Sequence, residues 1–213
     1  APLHRNPVMR RSSPSAGRRR ANGTLTRVVY ATGNVSTNVA SEPVKPQSVP
    51  AAIEHLWYDY QPIVNVHTGA LHGVEALLRG TAEAGFTSIQ HFFDQALEDG
   101  VLPQIEADLL GVAIRGLADS SAGAATRLFY NVDNRALMTA GGARLTRLLD
   151  EFDLDPDRLH IEISERHWID PGDSLSQVLG YYKRGGLRVV VDDFGIGYSG
   201  LQLLHRSEPD VVK

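Results

Sequence analysis

The order of the predicted secondary-structure elements constrains the fold of this chain more than any other feature. Residues 57–66 predict a strand, residues 67–70 a turn, and residues 71–79 a second strand paired with the first. Further strands are predicted at residues 127–132, 159–164, 187–194 and from residue 209 onward. A β-hairpin followed by strand–helix units predicts an α/β fold whose parallel strands are joined by right-handed crossovers. An open doubly wound sheet and a closed TIM-like (β/α) barrel both satisfy this pattern.

The helices between these strands are predicted from apolar residues spaced three and four apart. Ser88 is predicted to cap the first helix, whose apolar face runs from Ile89 to Leu97. Other helices are predicted around residues 105–117, across residues 137–149, after Asp170 and Pro171, and around residues 201–204.

The composition excludes several classes of protein. The 213 residues include no cysteine, which excludes disulfides and leaves oxygen or imidazole as metal ligands. No apolar run approaches the roughly 18–20 residues of a membrane span, and the first residues lack the apolar core of a secretory signal. We therefore expect a cytoplasmic enzyme or binding domain without a membrane segment.

Charge divides the sequence near residue 50. Residues 1–50 carry eight basic side chains and one acidic side chain, whereas residues 51–213 carry 13 basic and 24 acidic side chains. We predict that residues 1–50 form a flexible basic tail or linker and that residues 51–213 form the folded domain. Because that domain is acidic, we expect no DNA partner.

Polar side chains recur near the carboxyl ends of the predicted strands. They are Glu75, Asn131, Glu162, Asp192, Asp193 and Lys213. Barrel enzymes build their active sites at this end of the strands. Divalent cations that prefer oxygen ligands, such as Mg²⁺, Mn²⁺ or Ca²⁺, would offset the repulsion between these carboxylates. Two such ions about 3.5–4 Å apart recur in enzymes that hydrolyse phosphoesters.

Each of these residues also has a simpler explanation when it is considered alone. Glu75 could form an ion pair with Arg79 near the end of its strand, and Asn131 could be a satisfied core amide. Asp192 and Asp193 could cap the helix that begins near residue 199. The metal-site interpretation therefore depends on these side chains lying together.

Residues 189–200, VVVDDFGIGYSG, also contain the spacing G-x-G-x-x-G of a dinucleotide-binding turn. Asp192 and Asp193 stand directly before these glycines, where their charge opposes a pyrophosphate. The chain also starts with a hairpin, not with the β-α-β unit that carries this fingerprint. The glycine motif alone is weak evidence, and the aspartates favour a metal site.

Ordered motifs along residues 58–213 resemble those of EAL domains, the bacterial phosphodiesterases that act on cyclic di-GMP. The motifs are YQPIVNVHTGALHGVEALLRG with Glu75-Ala76-Leu77, YNV with Asn131, EISE, DDFGIGYSGLQLL, and PDVVK ending at Lys213. The resemblance implies a TIM-like barrel whose first strand runs antiparallel to the others, in agreement with the predicted hairpin.

The resemblance also implies a cofactor and catalytic residues. Two Mg²⁺ or Mn²⁺ ions would be held by Glu75, Asn131, Glu162, Asp192 and Asp193, and Ca²⁺ would substitute for them or inhibit. Catalysis would depend on Glu75, Asp192 and Lys213, with Lys213 helping to position or activate the attacking water.

Further residues would bind the substrate and support a loop. Substrate contacts are implied for Gln61, Arg79 and Asp193. Glu165 would stabilise the loop after Asp193, and a homodimer would form through that loop.

Some positions depart from the family pattern. Gly80 stands where an aromatic residue is common, Asp133 and Gly200 each replace a serine, and Ile196 replaces a threonine. No presumed metal ligand is changed by these departures.

The family continues beyond the equivalent of Lys213 with two strands that carry a further glutamate and a glutamine of the nucleotide pocket. We therefore expect this chain to lack the C-terminal part of the barrel. The implied function is hydrolysis of cyclic di-GMP to linear pGpG in bacterial second-messenger signalling, with a sensor domain upstream. The alternative is a catalytically silent EAL domain that acts as a cyclic di-GMP receptor or a protein-interaction module.

Overall fold

The computed structural model describes residues 48–123, 125–138, 142–164, 174–195 and 200–213. Its first elements are helix α1 (Val49–Ala52), strands β1 (Trp57–Val64) and β2 (Leu71–Arg79), and helices α2 (Ile89–Glu98) and α3 (Leu102–Asp119). The later elements are β3 (Leu128–Asn131), α4 (Asn134–Leu137), α5 (Gly142–Glu151), β4 (Leu159–Ser164), α6 (Ser174–Arg184), β5 (Arg188–Asp192), α7 (Gly200–Ser207) and β6 (Val211–Val212).

The structure locates the start of the packed domain close to the predicted end of the tail. All but the last three residues of the predicted tail, residues 1–50, lie outside the described part of the chain. Val49 of α1 is fully buried, so the packed domain includes residues from Val49 onward.

Among the helices that are described, none has the length and apolar character that crossing a membrane requires.

The strands form one sheet whose spatial order equals the order along the chain, β1-β2-β3-β4-β5-β6. β1 pairs with β2 in antiparallel fashion, and each later neighbour pairs in parallel. A doubly wound sheet reverses its strand order at a switch point, whereas a (β/α) barrel keeps the sequential order. The predicted TIM-like barrel with an antiparallel first strand is therefore confirmed. Within the described residues, β1 and β6 are the edges of the sheet.

The hairpin at the start of the sheet is set by Asn65. Its side-chain oxygen accepts hydrogen bonds from the backbone N–H groups of His67 (3.0 Å) and Thr68 (3.1 Å). An asparagine that binds the backbone two residues on is a common turn former. This turn ends β1 at Val64, two residues before the predicted end, whereas β2 has its predicted bounds.

Successive side chains of β2 point alternately to the two faces of the sheet. Val74 and Ala76 are buried and pack with Leu110 and Ala113 of α3 in one hydrophobic cluster. Glu75 lies between them in the strand and therefore points to the other face. The helices thus cover one face, while the opposite face carries the polar residues.

The helices partly differ from their predictions. Ser88 caps α2 as predicted, because its hydroxyl accepts a hydrogen bond from the backbone N–H of His91 (3.0 Å). Phe92 and Ala96 of α2 are fully buried, but Ile89 and Leu97 at the margins of the predicted face are about two-fifths exposed. The single helix predicted across residues 137–149 is wrong, since α4 ends at Leu137 and α5 begins at Gly142.

Gly80, which departs from the family pattern, meets a backbone requirement directly after β2. Its φ angle is +91°, a value that side chains rarely adopt. A Cβ atom at this position would also lie 2.1 Å from the carbonyl oxygen of His55. The departure is therefore explained by the close approach of the chain that precedes β1.

Candidate functional site

The strand register brings the predicted polar residues to one end of the sheet. Gln61 lies opposite Glu75 in the β1–β2 pair, and Asn131 lies opposite Glu162 in the β3–β4 pair. Ser164, two residues beyond Glu162, lies opposite Asp192. Because residues two apart share a face, Glu162 and Asp192 project from the same side of neighbouring parallel strands.

Three carboxylates converge at this end of the sheet. One oxygen from each of Glu75, Glu162 and Asp192 lies within 4.8 Å of the others. They come from β2, β4 and β5, so the convergence depends on the whole sheet and not on one loop. We call these three residues the carboxylate cluster.

Lys213 supplies positive charge to the carboxylate cluster. Its Nζ lies 2.8 Å from Glu75 Oε2, 2.8 Å from Glu162 Oε1 and 3.6 Å from Asp192 Oδ1. Two hydrogen bonds fix the main chain of Lys213: its N–H donates to the Val191 carbonyl (2.9 Å), and its carbonyl accepts from the Phe194 N–H (3.1 Å). One ammonium therefore faces three carboxylates, which leaves the cluster short of positive charge.

Glu162 is the most buried member of the carboxylate cluster. Its side chain is 0% exposed, and Oε2 has no hydrogen-bond partner among the described residues. Burial raises the pKa of Glu162 to about 7, against the lowering effect of its hydrogen bond with Lys213. A buried oxygen without a partner is costly, and a cation at this position would satisfy it.

The pKa of Lys213 is shifted by two opposing effects. Burial lowers the pKa, but the hydrogen bonds to Glu162 and Glu75 outweigh it, and the net pKa is raised above its ordinary value. Lys213 is therefore a permanent ammonium at neutral pH.

Asn131 is tied to the cluster through Glu75. The Asn131 amide nitrogen donates to Glu75 Oε1 at 3.2 Å. Asn131 is exposed at the end of β3, so the core-amide explanation does not apply. The structure thus brings Asn131 beside the carboxylates, with its amide oxygen as a further oxygen donor.

Arg79 and Gln61 lie near the cluster but outside it: Arg79 ends β2, the strand of Glu75, and Gln61 lies on the neighbouring strand β1. Arg79 Nε donates to Asp59 Oδ2 at 2.9 Å, so Asp59 takes the place of Glu75 in the ion pair that the sequence suggested. Both side chains are about half exposed. Gln61 is exposed on β1, opposite Glu75. Asp59 was missed by the sequence reasoning, although its spacing of two from Gln61 places it on the same face.

The remaining predicted residues surround β5. Asp193 is not a member of the carboxylate cluster, and its φ of +56° turns the chain immediately after β5. The predicted loop-stabilising residue Glu165 lies outside the described residues, as do residues 196–199 of the loop predicted to form a dimer interface.

A comparison with protein families agrees with this arrangement. The family profile described as EAL domain matches residues 47–213, which include every strand of the sheet. The chain belongs to the EAL domain family.

Related EAL proteins have been named for their activity. The chain is 26% identical over 157 residues to the "Probable cyclic di-GMP phosphodiesterase PdeB" of Escherichia coli K12, covering 72% of this chain and 30% of that protein. It is 28% identical over 158 residues to "Probable cyclic di-GMP phosphodiesterase PdeG" of the same organism, covering 72% and 31%. The chain thus spans about a third of the length of these relatives.

Solved EAL structures share the fold. The calcium and cyclic di-GMP complex of Klebsiella pneumoniae BlrP1 matches with a TM-score of 0.63 and 27% identity over 79% of this chain and 42% of that chain. The BlrP1 complex with manganese and cyclic di-GMP matches with a TM-score of 0.62 and 28% identity, over 79% of this chain and 42% of that chain. The cyclic di-GMP complex of the phosphodiesterase PaMucR matches with a TM-score of 0.61 and 29% identity, over 74% of this chain and 68% of that chain.

A second buried carboxylate in this EAL domain escaped the sequence reasoning. Glu106 in α3 is 1% exposed and binds Tyr130 and the backbone of Asp133, next to Asn131. The signal was present in the sequence, because Glu106 stands between the apolar residues Ile105 and Leu109 on the buried side of the helix.

The metal-free protein is expected to lose stability as the pH rises through about 7. The Glu162 carboxyl titrates near 4.5 in an unfolded chain and near 7 in the fold. Because the folded pKa is higher, its stabilising contribution is fully present below about pH 4.5 and is lost as the pH rises through about 7. The test is thermal unfolding in EDTA of the wild type and of Glu162→Gln, whose side chain does not titrate. Between pH 4.5 and 8 the melting temperature of the wild type should fall relative to that of Glu162→Gln. A difference in melting temperature that stays constant over this range would contradict the raised pKa of Glu162.

Proposed function

We propose that this EAL domain is a metal-dependent phosphodiesterase that hydrolyses cyclic di-GMP to linear pGpG in cytoplasmic bacterial second-messenger signalling. The observation that carries the proposal is the convergence of Glu75, Glu162 and Asp192 around Lys213. The names of PdeB and PdeG and the cyclic di-GMP in the BlrP1 complexes support the choice of substrate. The activity is proposed for the whole protein, of which this domain would be the catalytic part.

The residues present fit a divalent metal centre. Glu75, Glu162, Asp192 and Asn131 would supply oxygen ligands from four different strands, and Asp193 directly follows Asp192. The partnerless Oε2 of Glu162 is an oxygen that a hard cation would take up. Mg²⁺ and Mn²⁺ suit such a set, and manganese and calcium occur in the related BlrP1 complexes. We propose two ions, which would supply Lewis acidity beside the phosphodiester.

Lys213 would orient the reacting groups rather than remove a proton. With its pKa raised, the ammonium keeps its protons at neutral pH and cannot serve as a general base. Its Nζ already donates to Glu75 and Glu162, which leaves it one further donor for a water molecule or a phosphate oxygen. We therefore assign Lys213 the positioning of the attacking water.

Arg79 and Gln61 would hold the substrate next to these groups. The Arg79 guanidinium is partly exposed, and only its Nε is used by Asp59 while Nη1 donates to the Leu78 carbonyl. A guanidinium with remaining donors is well suited to a phosphate oxygen. Gln61 lies opposite Glu75 in the register, and with Asp193 it would contact the substrate beside the metals. A homodimer through the loop after Asp193 and an upstream sensor domain stay predictions.

Incubation of the full-length protein with cyclic di-GMP and Mg²⁺ or Mn²⁺ tests the proposal. We expect pGpG to accumulate, as measured by chromatography, and we expect EDTA to stop its formation. Glu162→Gln should be inactive as the matched control. Tight binding of cyclic di-GMP without turnover would contradict hydrolysis and would favour the receptor function.

A further inference from the structure

Glu106 is a buried carboxylate that the proposed reaction does not use. It is 1% exposed, in the middle of the buried side of α3. A buried polar group costs free energy unless it is hydrogen-bonded, and a buried charge costs more. The position of Glu106 in the core therefore depends on the partners that surround it.

Both oxygens of Glu106 bind the short segment that carries Asn131. Oε2 accepts a hydrogen bond from the Tyr130 hydroxyl at 3.0 Å, and Oε1 accepts one from the backbone N–H of Asp133 at 2.7 Å. Tyr130 directly precedes Asn131, and Asp133 follows it by two residues. Glu106 thus holds this segment on both sides of Asn131.

The same segment is held by other elements in ways that do not involve Glu106. The Val132 N–H donates to the Glu162 carbonyl at 3.1 Å, which joins the segment to β4. Arg135 binds the Asp133 carboxylate (2.6 Å) and Asp94 of α2 (2.7 Å). These contacts hold the Val132 backbone and the Asp133 side chain. The Tyr130 hydroxyl also accepts a long hydrogen bond from the Tyr58 hydroxyl (3.5 Å). The Tyr130 hydroxyl and the Asp133 N–H both donate to the Glu106 carboxylate.

The placement of Asn131 matters because its amide reaches Glu75 in the carboxylate cluster at 3.2 Å. A shift of the segment by a fraction of an ångström would change that bond and the direction of the amide oxygen. Groups that orient a metal ligand typically contribute about 10–100-fold to metal affinity.

We propose that Glu106 is a positioning residue that acts through Tyr130 and Asp133 to hold Asn131 in place for metal binding. The inference rests on the proposed function as far as the metal is concerned. The placement of Asn131 by Glu106 is a property of the protein alone.

Two variants of the full-length protein test the inference, with two controls. Glu106→Leu removes both side-chain hydrogen bonds and leaves the Tyr130 hydroxyl only its longer contact with the backbone carbonyl of residue 106 (3.4 Å) and with Tyr58. Tyr130→Phe removes the hydroxyl and with it one of the two bonds of the Glu106 carboxylate. Glu106→Gln keeps an acceptor for the Asp133 N–H and a partner for Tyr130, and should act as the wild type. Tyr182→Phe is the matched control for Tyr130→Phe, because Tyr182 is equally buried but its hydroxyl has no partner among the described residues.

The first readout is the NMR signal of the Asn131 side-chain amide, assigned with an Asn131→Ser variant in metal-free protein. Glu106→Leu and Tyr130→Phe should shift or broaden it, and Glu106→Gln and Tyr182→Phe should leave it unchanged. An unchanged signal in both Glu106→Leu and Tyr130→Phe would overturn the inference. If Glu106→Leu does not fold, Tyr130→Phe decides the result.

The second readout is Mn²⁺ affinity, measured by titration calorimetry without substrate. Glu106→Leu should bind Mn²⁺ about tenfold more weakly than the wild type, and Tyr130→Phe should weaken binding by less. A shifted Asn131 signal with unchanged Mn²⁺ affinity would overturn the role in metal binding. Failure of the wild type to bind Mn²⁺ would instead refute the proposed metal centre, and the NMR readout would still decide whether Glu106 positions Asn131.

Discussion

Replacing Asp192 with asparagine is expected to abolish hydrolysis of cyclic di-GMP and to weaken Mn²⁺ binding. The change keeps the shape of the side chain but removes a charge from the carboxylate cluster, where three strands each supply one carboxylate. Loss of a residue that only orients a metal ligand costs about 10–100-fold, so loss of a ligand should cost at least about 100-fold in kcat. Glu75→Gln should behave in the same way, and pGpG formation and Mn²⁺ titration measure both effects.

Asp210→Asn is the matched control for Asp192→Asn. Asp210 is also an aspartate next to β5, but it binds Arg188 and the backbone of Val189 near the start of that strand. Its replacement should leave Mn²⁺ affinity unchanged. Wild-type turnover by Asp192→Asn, or an equal loss in Asp210→Asn, would contradict the assignment of the site.

Replacing Lys213 with methionine is expected to lower kcat by about 100-fold, because the attacking water would lose the group that positions it and a misplaced reactant alone can cost about that much. The same change should have a second effect that depends on metal. Without the ammonium, Glu75, Glu162 and Asp192 repel one another, and removal of one partner from a buried ion pair costs about 3–5 kcal/mol. The melting temperature should therefore fall in EDTA and recover largely when Mn²⁺ is added.

Lys183→Met provides the comparison for this second effect. The Lys183 ammonium donates to the carbonyl oxygens of Ser207 and Glu208, at the end of α7, and has no bond to the carboxylate cluster. Its loss should lower the melting temperature by the same amount with and without Mn²⁺. If Mn²⁺ does not raise the melting temperature of the Lys213→Met protein, the ammonium does not offset the charge of the carboxylate cluster.

The sequence predicted those features that depend on local pattern. The bounds of β2 follow from its apolar run and the turn before it, and the Ser88 cap follows from the chemistry of helix starts. The polar residues at the strand ends could be expected to meet, because parallel strands in a barrel end on one side. The carboxylate cluster of Glu75, Glu162 and Asp192 is an instance of this rule.

The sequence could not predict contacts between residues that are far apart along the chain. Lys213 and Glu75 were expected at the same end of the sheet, but no local pattern gives the 2.8 Å bond between side chains 138 positions apart. Arg79 had two acidic residues within reach, and only the geometry of the hairpin selects Asp59. The role of Glu106 needs the path of the segment after β3, which packing against α3 determines. The prediction of one helix across residues 137–149 was extended past Gly141 and Gly142, although glycine disfavours a helix interior.

The attachment of Lys213 to the last strand has a consequence for biosynthesis. β6 pairs with β5 through Val211 and Val212, and Lys213 extends that pairing with one more backbone bond. A ribosome therefore makes all three acidic groups before it makes the cation that compensates them. The charges of Glu75, Glu162 and Asp192 can therefore be compensated by Lys213 only after β6 has joined the sheet.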